Sequence, residues 1–251
     1  MKLLMDMHTH TTYSRNGHGK NTIEEMVNQA RKIGLKGLVI SDHGRSHPFY
    51  GVRKTDFAKM RQEIDALNRR YDDIEIYLSV EANITGRGFI DIEEEELKYC
   101  DWISCGYHYG FIPKNIKSFF DFLLPNFLAM LLPFLRPLVR GSNTQCYVDV
   151  MEHYPIAMIT HPGDKIAIDI EPIAKKAAEK NVILEINPSH GHLSVENIKK
   201  AMKYPVCFAV NSDAHSIDRL AKVTGAKEMM AAAGLPNERV INTCPFVEEM
   251  K

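Results

Sequence analysis

Histidines and carboxylates, the side chains that hold divalent metal ions, recur in this chain at one kind of place: just after short apolar runs. His8 and His10 follow the apolar run 3–7, and residues two apart on an extended segment project to the same side, so both imidazoles can reach one ion. His18 comes in the loop beyond, between Gly17 and Gly19. The run 37–40 leads into Ser41-Asp42-His43-Gly44, and the run 74–80 into Glu81. The run 102–105 leads into Gly106-Tyr107-His108, 157–159 into His161-Pro162-Gly163, and 207–210 into Ser212-Asp213-Ala214-His215. Taken singly, each is weak: two nearby histidines often sit on a surface, an aspartate after a strand often closes a turn, and His-Pro-Gly is itself turn chemistry. Glu81 says more, because a carboxylate ending an apolar strand is costly to bury without a cation. Recurrence decides the matter, since six of the seven apolar runs end in a ligand-type residue. Imidazole and carboxylate suit zinc, iron or manganese, and several such sets in reach of one another make a multinuclear centre.

Those residues converge only if one architecture brings the run ends together. Apolar runs at 3–7, 37–40, 74–80, 102–105, 157–159, 182–186 and 207–210 alternate with amphipathic stretches, the rhythm of repeated βα units. Thr22 and Glu25 make a T-x-x-E capping box, opening a helix with Ile23, Met26, Val27 and Ala30 on one face and a stop at Gly34. Further helices are expected over 56–70, 171–180, 195–202 and 218–233. In a parallel barrel the carboxyl ends of the strands open on one face, which is where catalytic residues gather. One stretch breaks the rhythm. Residues 119–139, FFDFLLPNFLAMLLPFLRPLV, are strongly apolar, yet Asp121, Asn126, Arg136 and three prolines interrupt them, which argues against a spanning helix. They read as an inserted helical hairpin packed on the barrel, a lid over the site, an oligomer contact or a membrane-surface contact.

With 251 residues, 45% hydrophobic and 25% charged, the chain fits one domain with one substantial core. A net charge of -1 without a long basic run lacks the footprint of a dedicated nucleic-acid binder. Cys100, Cys105, Cys146, Cys207 and Cys244 contain no C-x-x-C pair and read as reduced core thiols. MKLLMDMHTH turns polar too early for a secretory signal, so a cytoplasmic address is expected. His153 reads as a surface or packing histidine, and His190 and His192 as solvated loop histidines. Arg45, His47 and Lys114, beside the ligand motifs, are candidates for contacting a phosphorylated substrate.

The ordered set H-x-H, a further His, D-H-G, E-A-N, G-Y-H, H-P-G and S-D-A-H resembles the PHP family, named for polymerase and histidinol phosphatase, and most closely its small stand-alone phosphatases. The likeness spans 1–251 apart from an apolar insert at about 114–142. It implies an α/β fold, a distorted (β/α)7 TIM-like barrel, with two or three divalent ions, usually zinc and sometimes manganese or iron. Carried over position by position, one ion falls to His8, His10, Glu81 and Asp213; Glu81 bridges to a second held by His108 and His161; His18, His43 and His215 hold a third. The implied activity is phosphomonoester hydrolysis by a water or hydroxide bridging two ions, on a small phosphorylated substrate. Glu81 and Asp213 then sit at the reacting centre, and Asp42 orients a ligand histidine such as His10 or His43.

Three other functions fit part of the pattern. An amidohydrolase also opens with H-x-H and ends on a strand-terminal Asp, but no lysine is placed to bridge metals at the third or fourth strand. A phosphodiesterase or exonuclease would use the same centre and needs a basic, aromatic groove, which near-neutral charge does not advertise. A non-catalytic metal module would close its sites with four protein ligands, whereas two of the implied ions have three.

Overall fold

Runs such as Gly37-Leu38-Val39-Ile40 pack well only with both faces covered, so they pair side by side and bury one face inward and the other under helices. The protein's structure is a computed structural model that describes residues 2–190 and 193–244. Strands β1 (Met5–Thr9), β2 (Gly37–Ile40) and β3 (Glu75–Leu78) form one parallel sheet. The other strands are β4 (Glu81–Gly86), β5 (Phe89–Ile90), β6 (Ile103–Gly106), β7 (Ile156–Ile159), β8 (Ile183–Ile186) and β9 (Phe208–Val210). They make a second sheet in the order β5-β4-β6-β7-β8-β9, parallel except for the β4–β5 hairpin. Two parallel bridges join the sheets, His43 to Glu81 and Thr9 to Ala214. The chain therefore makes a distorted α/β barrel with seven parallel strand positions, the third of them split between β3 and β4.

The helices lie outside. They are α1 (Ile23–Lys32), α2 (Phe57–Arg70), the short α3 (Glu94–Leu97) and α4 (Ile116–Ser118), α5 (Leu124–Leu131), α6 (Arg136–His153), α7 (Ile170–Lys180), α8 (Val195–Ala201) and α9 (Ala226–Ala233). The capping box at Thr22 and Glu25 forms as expected, and α1 buries Ile23, Met26, Val27 and Ala30. Inside the barrel a small cluster of Met7, Val39, Met158 and Ala209, from β1, β2, β7 and β9, packs with Tyr77 and Ile183. Climbing the strands by twos from this cluster leads to polar side chains: Val39 to Ser41 and His43, Ile183 to Glu185, Ala209 to Asn211 and Asp213.

Several expectations need correction. The helix foreseen over 218–233 is only α9, because Ala221 and Gly225 take positive φ and break the run, and the Ala221 amide donates to buried Asp6 instead. The β4–β5 hairpin was not foreseen: Glu81 begins a strand and does not end one. Cys207 is exposed and no core thiol, whereas Cys105 and Cys146 are buried. Residues 119–139 do form a helical hairpin. Its first turn, Phe119–Leu123, is π-helical, and α5 meets α6 through a 3-10 turn at Pro133–Leu135. Only the later part of α6 is buried, from Asn143 on, so the hairpin tip projects from the barrel. No helix of the described residues is long and apolar enough to cross a membrane.

The seam between β9 and β1 is closed by Asn242. Its side-chain amide donates to the carbonyls of Met5 at 2.9 Å and Val210 at 2.7 Å, and its Oδ1 accepts from the Val210 amide at 3.0 Å. Asn242→Ala strands these buried backbone groups, so it is expected to destabilise the protein by about 2–4 kcal/mol. Urea unfolding of the two proteins, compared at equal slope, checks this.

Candidate metal centre

Each expected ligand residue is delivered by a strand end or the loop after it, except Glu81, which opens β4 just past the end of β3. A β-bulge between Asp6 and Thr9 re-aims the end of β1. His8 Nε2 then lies 3.1 Å from His10 Nε2, and His10 Nε2 lies 3.0 Å from Asp213 Oδ1. His161 and Asp213 hold φ values of 27° and 51°, in the left-handed region that costs a non-glycine residue free energy. The His161 amide is held there by Glu185 Oε2 at 2.7 Å. Gly106 has no room for a side chain: a Cβ would run into Thr160 Oγ1 and stand 3.1 Å from His161 Cε1 and 3.4 Å from Glu81 Oε1. Gly44 is equally crowded, by the Asp91 carboxylate.

At the middle of the cluster is Glu81, fully buried. Its Oε1 meets His161 Nε2 at 2.8 Å and His8 Nε2 at 3.3 Å. Its Oε2 meets His43 Nδ1 at 3.0 Å and His108 Nε2 at 3.3 Å. His18 Nε2 lies 2.9 Å from His43 Nε2 and 3.0 Å from His215 Nε2. All nine expected ligand residues thus stand in one chain of contacts. Four triads offer atoms within 4.8 Å of one another: His8-His10-Asp213, His8-Glu81-His161, His43-Glu81-His108 and His10-His43-His215. The partition implied by the resemblance differs at His43, which turns one nitrogen to Glu81 and the other to His18.

Does this donor set fit divalent cations? His8 Nδ1 is committed to Glu185 Oε1 at 2.8 Å, and His215 Nδ1 to the Asp213 carbonyl at 2.9 Å, which leaves both Nε2 atoms facing the cluster. Ring nitrogens about 3 Å apart are close to the spacing of two ligands about 2.0–2.1 Å from one zinc. His10 Nδ1 is buried without a hydrogen-bond partner, and Glu81 Oε2 and Asp213 Oδ1 are buried with only ring nitrogens 3.0 Å away, in no well-aligned hydrogen bond. Charge agrees. Burial raises the Glu81 carboxyl, but the imidazoles of His108, His8 and His161 outweigh it and hold it well below the usual carboxylate range. Asp213 is likewise raised by burial and brought far down by His8 and His10. Burial lowers His10 to about 3 and His18 to about 4, with His215 adding to each, and takes His43 well below its ordinary value. His8 goes the other way, because Glu185, Glu81 and Asp213 overcome its burial. Ionised carboxylates and the neutral imidazoles of His10, His18 and His43 are the forms that bind metal, and His8 would release its proton to an arriving cation, so the set fits.

The remaining expected site residues fare differently. Asp42 touches neither His10 nor His43. Its Oδ1 accepts from the Thr11 and Ser14 amides at 2.8 and 3.0 Å, and its Oδ2 accepts from Thr11 Oγ1 at 2.6 Å, so it ties down the loop after β1. Arg45 and Lys114 lie along a separate cleft with Glu93. There Arg45 pairs with Glu96 at 2.7 Å and Glu93 at 3.5 Å, and Lys114 reaches Glu93 at 3.8 Å. Both cations pair with the acidic segment at α3 and line this cleft, not the histidine cluster. His47 is buried at the edge of the cluster, stacked on Tyr50 at 3.3 Å, and Tyr50 stacks on His18 at 4.1 Å. Burial and the neighbouring His108 lower His47 to about 4.

Sequence reading passed over other residues here. Glu185 is buried between His8 and His161, with Asn211 Nδ2 donating to it at 3.0 Å; its place two residues after Ile183 was the available signal. His190 is no solvated loop histidine. It spans Asp164 Oδ2 at 3.0 Å and Asp213 Oδ2 at 2.9 Å, and these two bonds raise it to about 9. His153 is exposed at the end of α6 as expected, and His192 lies outside the described residues.

A family model described as the PHP domain matches residues 6–189. A probable phosphatase of Clostridium botulinum is 31% identical over 253 residues, covering 96% of this chain and 91% of that protein. A probable phosphatase of Caldicellulosiruptor saccharolyticus is 28% identical over 258 residues, covering 96% and 92%. Among solved structures, the histidinol phosphate phosphatase of Lactococcus lactis, complexed with zinc, L-histidinol and phosphate, superposes with a TM-score of 0.60 at 14% identity, covering 93% of this chain and 95% of that one. That likeness establishes a shared fold.

Since Glu185 fixes the ring of His8 and the backbone of His161 together, Glu185→Gln is expected to weaken metal affinity about 10–100-fold. Titration of the chelator-stripped protein with zinc measures it, and an unchanged affinity would remove Glu185 from the centre.

Proposed function

The chain belongs to the PHP domain family, and on that premise we propose that it is a metal-dependent phosphomonoesterase acting on small phosphorylated substrates. One observation supports the reading above the rest: Glu81 is buried and offers each carboxylate oxygen to a different pair of imidazoles, His8 with His161 and His43 with His108. A carboxylate placed so is suited to bridge two cations. His8, His10, Glu81 and Asp213 would hold one ion, Glu81, His108 and His161 a second, and His18, His43 and His215 a third. The triads share His8, His10, His43 and Glu81, so neighbouring ions would share their ligand walls. Zinc is the favoured metal, with manganese or iron compatible with the same donors. When bound, such ions acidify water toward neutral pH and offset the negative charge that builds on phosphoryl oxygens.

The chain's own residues do the rest of the work. Glu185 holds His8 with its Nε2 toward the cluster, and the Asp213 carbonyl does the same for His215. Asp42 secures the turn that carries His18 into place, through Thr11 and Ser14. His190 keeps the outer oxygen of Asp213 occupied and so directs the other toward His10. The stack of His47, Tyr50 and His18 walls one side against water and would set a flat edge beside the substrate. Residues 1–251, with the insert at 114–142, act as one unit, and cysteines without a C-x-x-C pair suit a reducing cytoplasm. The related proteins named as probable phosphatases agree with the activity, and the Lactococcus protein's complex with zinc, L-histidinol and phosphate agrees with a metal-dependent reaction that releases phosphate.

Elemental analysis of the purified protein is expected to find two to three equivalents of zinc, manganese or iron, which we estimate at about 2–3 per chain from the donor count. A phosphate-release screen on monoesters should be positive. Glu81→Gln should lower ion content and lower turnover by about 100-fold or more. Retained ions with a normal rate would refute the bridging role; nucleotide release from single-stranded oligomers, or amide hydrolysis with no phosphate released, would shift the chemistry to a diester or C–N bond.

A further inference from the structure

The hairpin of α5 and α6 carries an apolar surface that nothing among the described residues covers. Phe134 is 73% exposed and Leu138 78%, both at its tip, with Leu131 at 57% at the end of α5 and Phe120 at 59% in the hairpin's first turn. Phe127 and Leu132 are exposed as well. Scattered exposed leucines are ordinary on a protein surface, but so many large ones on one projecting segment mark an interaction face. Charge says what kind of face. Between residues 114 and 142 stand Lys114, Lys117, Arg136 and Arg140, and Asp121 is the one acid, already paired with Lys117. Arg136 and Arg140 lie one helical turn apart, both exposed, and form no ion pair among the described residues.

We propose that this hairpin docks the protein on an anionic lipid bilayer, its tip side chains sinking into the interface while Arg136 and Arg140 meet lipid phosphates. The inference stands apart from the reaction proposed above. A surface mode fits, because no helix of the described residues is long and apolar enough to cross a bilayer and prolines interrupt the segment. A second copy of the chain is a poor occupant. A two-fold contact lays the same patch on itself, which would bring the arginines of both copies together with one paired acid from each. An anionic bilayer complements both halves of the patch, apolar and cationic.

Co-sedimentation of the full chain with vesicles tests the proposal. Partitioning onto phosphatidylcholine vesicles containing phosphatidylglycerol should exceed that onto phosphatidylcholine alone by about tenfold and fall as salt is raised. F134D/L138D, changing side chains that make no buried contact, should lose at least about tenfold of the binding. R136Q/R140Q should remove the preference for the anionic lipid and leave the weak apolar binding. Equal partitioning onto both vesicles, or full binding by F134D/L138D, would overturn the proposal. So would a concentration-dependent dimer that F134D/L138D dissolves while the parent protein ignores vesicles, since the face would then belong to a second copy.

Discussion

Burying ionised carboxylates inside a barrel is the constraint from which the rest of this structure follows. Glu81, Asp213 and Glu185 all lie within the polar end of the barrel, where a lone carboxylate would be strongly penalised. The fold compensates by crowding imidazoles against them. That crowding explains local features with no separate reason to exist: a bulge at the end of β1, left-handed backbone at His161 and Asp213, and a glycine at position 106 where any side chain would collide. Strain and tight packing are tolerated here because many strand ends meet at one point and each fixes its neighbours.

Much of the centre was legible in the sequence because strand ends and ligands coincide. A period-2 strand that begins on an apolar interior residue and ends on a polar one announces which side chains face the mouth of the barrel, and Val39 to His43 is the clearest case. Glu185 obeys the same rule. It escaped notice because Val182 to Ile186 read as one apolar run, with its ligand-type residue inside the run and not after it. The split of the third strand was hidden for a related reason: Glu81 looked like an end, although Ala82 to Gly86 carries the extended backbone onward.

Other features lay beyond any one-dimensional reading. Arg45 and Lys114 looked available for phosphate because they adjoin ligand motifs, but α3 delivers Glu93 and Glu96 to them from elsewhere in the fold. His190 is fixed by Asp164 and Asp213, neither its neighbour in sequence. The 218–233 region had helical periodicity throughout, and one amide bond to the buried Asp6, with Gly225 in the left-handed region, was enough to break it. In each case a distant partner overrode the local pattern.

The join between β1 and the region after β9 also governs when this protein can acquire its metals. His10 donates its amide to the Ala214 carbonyl at 2.8 Å, and its ring sits against Asp213, a residue synthesised 203 positions later. At ribosomal speeds of about 5–20 residues per second, the two halves are separated by roughly 10–40 s. Through that interval the residues that meet the end of β1 at this seam have not yet been made. A complete donor set at this centre therefore exists only late in biogenesis, and a cation meeting His8 and His10 earlier would find few donors.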